Sequence, residues 1–168
     1  MKELTFVRHA KSDWGDENLR DIDRPLNNRG YSDAYYTANW YAMNKKKPDV
    51  MISSTATRAL NTALIFARIL DYDMANFHLN KNLYETNVSK LLNILKTQEN
   101  SKNHLMIFLH NPAITNFCNE LSEDLYFENV ATCGIVSFEI KIKSWDELEY
   151  KTGKLNYHQF PKDFKNRD

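Results

Sequence analysis

The sequence predicts an α/β protein with a largely parallel central sheet. Short apolar runs alternate along the chain with segments that repeat apolar residues at helical spacing. The clearest run, Leu105 to Leu109, has five apolar residues in a row, as strands covered on both faces do. At 168 residues the chain fits one domain, residues 1–168, and is too short for two ordinary ones.

Each further element follows from its local pattern. Strands are predicted where apolar residues run together, and helices where they recur at i, i+3, i+4 and i+7. Asn27 is a residue type that caps helices. In chain order the predicted elements are strand 4–7, helix 28–43 capped by Asn27, strand 50–52, a helix through Leu60, Ala63, Leu64 and Ala67, a short strand at 77–79, a helix through Val88, Leu91, Leu92 and Leu95, and strand 105–109.

The last predicted strand has a different pattern. Apolar residues from Val136 to Ile142 alternate with Ser, Glu and Lys, which indicates one face in water. We therefore expect an antiparallel strand near the edge of the sheet. Residues 145–168 have no clear pattern: their aromatic residues could dock on the domain, and residues 162–168 are expected to form a frayed tail.

Composition excludes several classes of protein. The chain has 22 basic and 22 acidic residues, so a nucleic acid or a membrane surface is not expected as partner. No apolar run is long enough to span a bilayer, and we see no signal peptide, so a cytoplasmic location is expected. Cys118 and Cys133 lack metal-ligand spacing and are interpreted as reduced thiols, although the sequence leaves a disulfide between them open.

Polar residues directly follow the predicted strands. Because the carboxyl ends of parallel strands meet at one edge, where open α/β sheets bind ligands, we expect these residues to converge. They are Arg8-His9, Ser53-Ser54 with Arg58 one turn later, Leu83-Tyr84-Glu85, and His110-Asn111-Pro112.

This set of residues suits phosphoryl transfer. Two guanidinium groups, Arg8 and Arg58, can hold a phosphoryl group bidentately, and helices near Thr55 and after Pro112 add N–H donors. A neutral His9 can attack phosphorus, and His110, if protonated, would stabilise the transition state. Glu85 could exchange protons with the leaving group and with water. No metal or other cofactor is required.

Each residue also has an ordinary structural explanation. A single histidine after a strand is more often structural than catalytic, and His78, His104 and His158 are interpreted in that way. Arg58 alone would be a solvated helix residue, and Glu85 alone could be a helix-cap acid. The joint placement at one sheet edge favours the catalytic interpretation, because the structural explanations predict no such coincidence.

The same motifs resemble those of the histidine phosphatase superfamily, also called the phosphoglycerate-mutase-like superfamily. Arg8-His9-Ala10-Lys11-Ser12 is similar to its opening Arg-His-Gly motif, although Ala10 stands at the usual glycine. The other matching motifs, in order, are residues 53–59 with the pocket arginine, Leu83-Tyr84-Glu85 with the acid, and His110-Asn111-Pro112 with the second histidine.

Within that superfamily the chain looks most like the small phosphohistidine phosphatases related to SixA. Asp23-Arg24-Pro25-Leu26 resembles a landmark of that group. The resemblance implies a three-layer αβα sandwich and a phosphohistidine intermediate at His9. It also implies a phosphate pocket of Arg8, Arg58 and His110, to which Ser12 and Asn111 are possible additions. Some members lack the Leu-x-Glu acid, so Asp23 competes with Glu85 for that role.

We therefore expect a metal-independent phosphatase. The gaps between motifs leave no room for a large lid, and only residues 13–24 could form a wall, which suits an exposed phosphohistidine on a protein. A phosphatase of small phosphate esters would use the same chemistry, and a non-catalytic phosphate-binding module could share the fold. A phosphomutase needs a closed site, and a metallohydrolase needs carboxylate partners for the histidines. The sequence supports neither and leaves the oligomeric state open.

Overall fold

The centre of the protein is a six-stranded mixed sheet, seen in a computed structural model that describes residues 1–164 and 167. The strands lie in the order β3-β2-β4-β1-β5-β6. β1 through β4 pair in parallel, whereas β5 is antiparallel to β1 and β6 is antiparallel to β5. The strands are β1 (Lys2–Arg8), β2 (Val50–Ser53), β3 (Phe77–Leu79), β4 (His104–Leu109), β5 (Ile135–Ile140) and β6 (Gly153–Gln159).

Within the described part of the chain, four α-helices cover the two faces of this sheet. One apolar core joins the sheet to α3 and α4, and the other joins it to α1 and α2. The α/β sandwich with a mostly parallel sheet and antiparallel pairing towards one edge is therefore confirmed. The helices are α1 (Asn28–Asn44), α2 (Thr57–Ile69), α3 (Val88–Lys96) and α4 (Ala113–Leu121).

Strand β4 shows why the longest apolar run lies in the middle of the sheet. All six of its residues are buried. Leu105, Ile107 and Leu109 belong to the core beneath α3 and α4, while Met106 and Phe108 belong to the core beneath α1 and α2. Because successive side chains point to opposite faces, a strand between two helical layers is apolar at consecutive positions, here from Leu105 to Leu109.

Helix α2 forms where predicted, and its buried face agrees with the prediction in part. Ala63 and Ala67 are buried as expected, whereas Leu64, also expected in the core, is 39% exposed. Ala59 and Phe66 are fully buried and complete the face. Small residues on this face let α2 pack closely against the sheet and α1. The apolar spacing through Leu60 and the spacing through Ala59 both satisfy a helical repeat, and only the packing distinguishes them.

The C-terminal part differs most from the prediction. Ser137 of β5 is fully buried, where its hydroxyl group lies 3.0 Å from the hydroxyl of Thr5 and donates to Glu3 at 2.9 Å. β5 thus lacks the expected wet face, since only Glu139 among its residues is not fully buried. The edge of the sheet on this side is β6, beyond β5. The expected frayed tail begins as a short 3₁₀ turn, Pro161–Asp163, and its residues 165, 166 and 168 lie outside the described residues.

Both cysteines are free and buried. Cys118 lies in the core beneath α3 and α4, and Cys133 lies in the core beneath α1 and α2. Burial raises the pKa of both thiols, that of Cys133 to about 12. Among the helices of the described residues, none has the length and apolar character needed to cross a membrane.

The start of α1 holds the chain just after β1. The Asn27 side chain accepts a hydrogen bond from the Gly30 N–H at 2.8 Å, and the Asn27 N–H donates to the Lys11 carbonyl at 3.0 Å. A Cβ on Gly30 would lie 2.1 Å from that same carbonyl oxygen. The helix therefore touches the Lys11 backbone at a point where only glycine fits.

Gly30→Ala is expected to destabilise the protein by about 1–3 kcal/mol, because relieving the clash must move backbone. The cost of moving the backbone outweighs the roughly 1 kcal/mol by which alanine stabilises a helix relative to glycine. The measurement is the free energy of unfolding in urea. Gly15→Ala is the matched control, because a Cβ there meets only the tip of the Asp13 side chain at 3.1 Å. Equal unfolding midpoints for the two variants would contradict the close contact.

Candidate active site

The parallel register brings the two histidines together. Arg8 pairs with Leu109 at the ends of β1 and β4, and the His9 N–H donates to the Leu109 carbonyl at 3.1 Å. His9 and His110 are thus the first residues beyond paired positions. Their ring centroids lie 5.2 Å apart, and each residue is 8% exposed.

The His9 ring is oriented by a backbone contact. Its Nδ1 lies 2.7 Å from the carbonyl oxygen of Ala10. Since a carbonyl can only accept, Nδ1 carries the ring proton, and the lone pair of neutral His9 is on Nε2. Ala10 is in turn held by its N–H, which donates to the Thr62 hydroxyl at 3.0 Å.

The surroundings of His9 keep it uncharged at neutral pH. Burial, followed by the positive charges of Arg58 and Arg8, lowers its pKa to about 4, although the Ala10 hydrogen bond and Asp21 act in the opposite direction. An imidazole that is neutral, and protonated on Nδ1, has the form that a nucleophile requires.

His110 is also neutral in the free protein. Burial first, and then His9 and Arg58, lower its pKa to about 3. Its Nε2 lies 2.7 Å from the Ser54 hydroxyl, which already accepts from the Ala56 N–H at 3.2 Å. If the hydroxyl donates to Nε2, His110 carries its proton on Nδ1 and can donate to an oxyanion without a positive charge.

Arg8 is fixed by the segment between α4 and β5. Its Nη1 donates to the Val130 carbonyl at 2.9 Å, and burial lowers its pKa from the ordinary arginine value. Asn111 supports the same segment, because its amide nitrogen donates to Asn129 at 2.7 Å and its oxygen accepts from Thr115 at 2.6 Å. Asn111 therefore already has partners at both ends of its side chain.

Arg58, in the first turn of α2, is buried beside a carboxylate. Its Nη2 donates to Oδ2 of Asp21 at 3.0 Å, and its Nη1 donates to the Asp21 backbone carbonyl at 2.7 Å. The charges of Arg8 and Arg58 both act on His9 and His110. The predicted nucleophile His9 and the three residues predicted to form its phosphate pocket, Arg8, Arg58 and His110, therefore lie close together; below, the four are called the pocket residues.

Two helices, α2 and α4, have their N-termini at this edge of the sheet. Neither α2, preceded by Ala56, nor α4, preceded by Pro112, has a side chain that caps its first N–H groups. Such N–H groups, together with the positive end of the helix dipole, favour an anion.

The remaining predicted residues lie less centrally. Ser12 is buried and forms an isolated antiparallel bridge with Leu26. Glu85 is exposed, with a left-handed backbone (φ 54°), and lines a cavity with Lys81 and Lys90 rather than with the histidines. Asp23 pairs with Arg20 at 2.8 Å on the surface. The structure describes no hydrogen bond that joins Ser12, Glu85 or Asp23 to the four pocket residues.

Sequence reasoning missed three residues of the site: Ser54, Tyr84 and Asp21. Ser54 and Tyr84 stand inside the strand-end motifs, yet only their neighbours were assigned roles. Asp21 lies in an irregular segment, in the short 3₁₀ turn Asp21–Asp23, where no periodicity indicates which of several acidic residues faces inward. The nearby Arg24-Pro25 landmark was the available signal.

The surrounding segments, in the part of the chain that the structure describes, contain no group of three metal-ligating side chains close enough to hold a metal ion. The chemistry available from these residues is that of two guanidinium groups, two neutral imidazoles, one carboxylate and the hydroxyls of Ser54 and Tyr84.

Solved structures share this fold over almost the whole chain. A protein histidine phosphatase SixA complexed with tungstate superposes with a TM-score of 0.82 at 19% identity, covering 97% of this chain and 99% of that one. The structure of a SixA phosphohistidine phosphatase from Agrobacterium tumefaciens gives a TM-score of 0.81 at 23% identity, covering 95% and 98%. At such identities the likeness shows the fold.

Among curated proteins, an uncharacterized chloroplastic protein of Arabidopsis thaliana is 37% identical over 84 residues, which are 49% of this chain and 38% of that protein. The chain thus spans well under half the length of this relative. The family model of the histidine phosphatase superfamily (branch 1) matches residues 4–117. This range includes the four pocket residues Arg8, His9, Arg58 and His110. The chain belongs to the histidine phosphatase superfamily.

Proposed function

We propose that this protein is a metal-independent phosphatase that works through a phosphohistidine at His9, with protein phosphohistidine as its substrate. Nε2 of His9 attacks phosphorus, a P–N bond forms, and the bond from phosphorus to the leaving group breaks. Water then attacks the phosphoenzyme, the P–N bond breaks, and inorganic phosphate leaves. Arg8 and Arg58 hold the phosphoryl oxygens, and His110 donates to one of them.

The observation that carries this proposal is the state of His9. It is neutral, its proton is held on Nδ1 by the Ala10 carbonyl, and its free Nε2 lies in a site with two guanidinium groups. A structural histidine needs none of these features. A simple phosphate-binding site would also gain from a charged imidazole, whereas a nucleophile needs the lone pair.

The proposal of a protein substrate rests on the rim of the site. The histidines are buried, but Asp21 and Trp14 of the bordering segment are exposed, with Trp14 at 63%. Exposed side chains beside the phosphate pocket offer a surface for contact with a phosphorylated protein. A SixA structure with the same fold, which is named a protein histidine phosphatase, supports a protein substrate.

His9→Ala is expected to lower kcat on a chromogenic aryl phosphate by about four orders of magnitude or more, because the nucleophile is removed. The assay is run with EDTA present. An aryl leaving group departs without strong acid assistance, so the result reports on the nucleophile and the phosphate pocket. His78→Ala is the matched control, since His78 is exposed on β3, the far edge strand.

Three outcomes would separate the alternatives. Activity that survives EDTA and is lost only in His9→Ala supports the histidine mechanism. Activity that EDTA abolishes would contradict it. Phosphate binding without turnover, in wild type and variant alike, would favour a non-catalytic binding module.

The depressed pKa of His9 predicts how activity depends on pH. Because His9 loses its nucleophilic lone pair only when it is protonated, and its pKa is about 4, kcat/KM per substrate dianion should stay level from roughly pH 7 down to pH 5. The measurement is a pH profile on the aryl phosphate, corrected for ionisation of the substrate. A fall in kcat/KM with an apparent pKa near the ordinary histidine value of about 6.5 would contradict the lowered pKa of His9.

The substrate proposal is tested with a phosphotransfer domain that carries one phosphohistidine. Its kcat/KM is expected to exceed that of the aryl phosphate by about tenfold or more, because contacts at the rim add transition-state binding. The comparison uses matched concentrations and follows released phosphate. Slower hydrolysis of the phosphoprotein would instead favour a phosphatase of small phosphate esters.

A further inference from the structure

Asp21 is the carboxylate that the structure places at the mouth of the pocket. Its Oδ2 accepts hydrogen bonds from the Tyr84 hydroxyl at 2.6 Å and from Arg58 at 3.0 Å. Its charge acts on both His9 and His110. The Asp21 side chain is 46% exposed, whereas both histidines are buried. It therefore lies beside the buried pocket and is itself open to solvent, as a group that exchanges protons with a leaving group and with water must be.

The other carboxylates near this edge lack that placement. Glu85 is exposed and lines a cavity with two lysines and Tyr84, and neither histidine lines that cavity. Asp23 is two residues from Asp21, but its carboxylate is paired with Arg20. Neither carboxylate has a described contact with the arginines or histidines of the pocket, whereas Asp21 contacts Arg58 directly.

We propose that Asp21 is the residue that exchanges protons with the leaving group and with water in the phosphatase reaction. The inference rests on the proposed function and replaces Glu85 and Asp23 as its acid. In the first step the Asp21 carboxyl gives its proton to the leaving atom, which is the imidazole nitrogen of a phosphohistidine or the oxygen of a phosphate ester, as the bond from phosphorus to that atom breaks and the Nε2–P bond of His9 forms. In the second step the Asp21 carboxylate takes a proton from water, as the new P–O bond forms and the Nε2–P bond breaks.

Substrate binding supplies the change that Asp21 needs. In the free protein the hydrogen bond from Tyr84, and then the pairing with Arg58, hold the pKa of Asp21 below its usual value. A phosphoryl dianion competes for the Arg58 donors, and its negative charge disfavours a second anion beside it. Both effects favour protonation of Asp21 in the complex. Tyr84, whose own pKa the carboxylate raises to about 12, remains a hydrogen-bond donor throughout.

A purely positioning role for Asp21 predicts a different result. If Asp21 only orients Arg58, its loss weakens the hold on the phosphoryl group equally for every substrate. If Asp21 donates a proton, its loss matters most where the leaving group is a strong base, because a poor leaving group cannot depart unprotonated. The dependence of rate on leaving-group pKa therefore distinguishes the two roles.

The experiment measures kcat/KM for Asp21→Asn on a series from 4-nitrophenyl phosphate to alkyl phosphates. The loss is expected to grow along the series, from less than about tenfold for the nitrophenyl ester to about 100-fold or more for alkyl esters. The ratio of kcat/KM on an alkyl ester to kcat/KM on the nitrophenyl ester, measured in one preparation, does not depend on the fraction of protein that is folded. Asp23→Asn is the matched control in the same segment, and Glu85→Gln tests the competing acid.

The outcomes separate failure of this role from failure of the proposed function. A steeper dependence on leaving-group pKa in Asp21→Asn alone supports the inference. An equal loss along the series, or a steeper dependence in Glu85→Gln or Asp23→Asn, would overturn it while the phosphatase activity stands. An inactive wild type, or a His9→Ala variant as active as wild type, would overturn the proposed function and the inference together.

Discussion

The parallel pairing of β1 with β4, and of β4 with β2, is the constraint on which the site depends. Arg8 pairs with Leu109, so His9 and His110 follow the same paired position and emerge at the same edge. Ser53 pairs with Phe108, so Ser54 is level with Leu109, one residue before His110. No long side chain has to span the sheet, because the ladder of backbone hydrogen bonds sets the spacing of the reactive groups. A shift of one residue in either pairing would turn a histidine towards the opposite face.

This constraint explains which part of the site could be predicted. Residues that directly follow apolar strands are located by the strands themselves, so His9, Arg58 and His110 follow from sequence patterns together with the edge rule. Asp21 could not be found in that way. It reaches Arg58 across 37 residues of sequence from an irregular segment, and tertiary packing alone selects it over Asp16 or Asp23. The fold shows the same division: β6 and the buried Ser137 depend on pairing with distant segments, which local patterns do not encode.

The electrostatic character of the site follows from how its charges are shared. Burial, together with the positive charges of Arg8 and Arg58, lowers the pKa of both imidazoles and keeps them neutral. Arg58 donates two hydrogen bonds to Asp21. This arrangement keeps a buried guanidinium paired, which lowers the cost of its burial. Asp21 thereby stabilises the buried Arg58, and in the proposed mechanism it also takes part in the chemistry of the site.

The two buried thiols have a consequence of a different kind. Cys118 and Cys133 lie on opposite sides of the sheet, each fully enclosed by one helical layer. A thiolate forms, and reacts, only after water has reached the sulfur, so a labelling reagent must wait for local opening. The protein thus carries one natural reporter for each layer. The labelling rates of the two thiols would show whether the layers open independently or only when the whole domain unfolds.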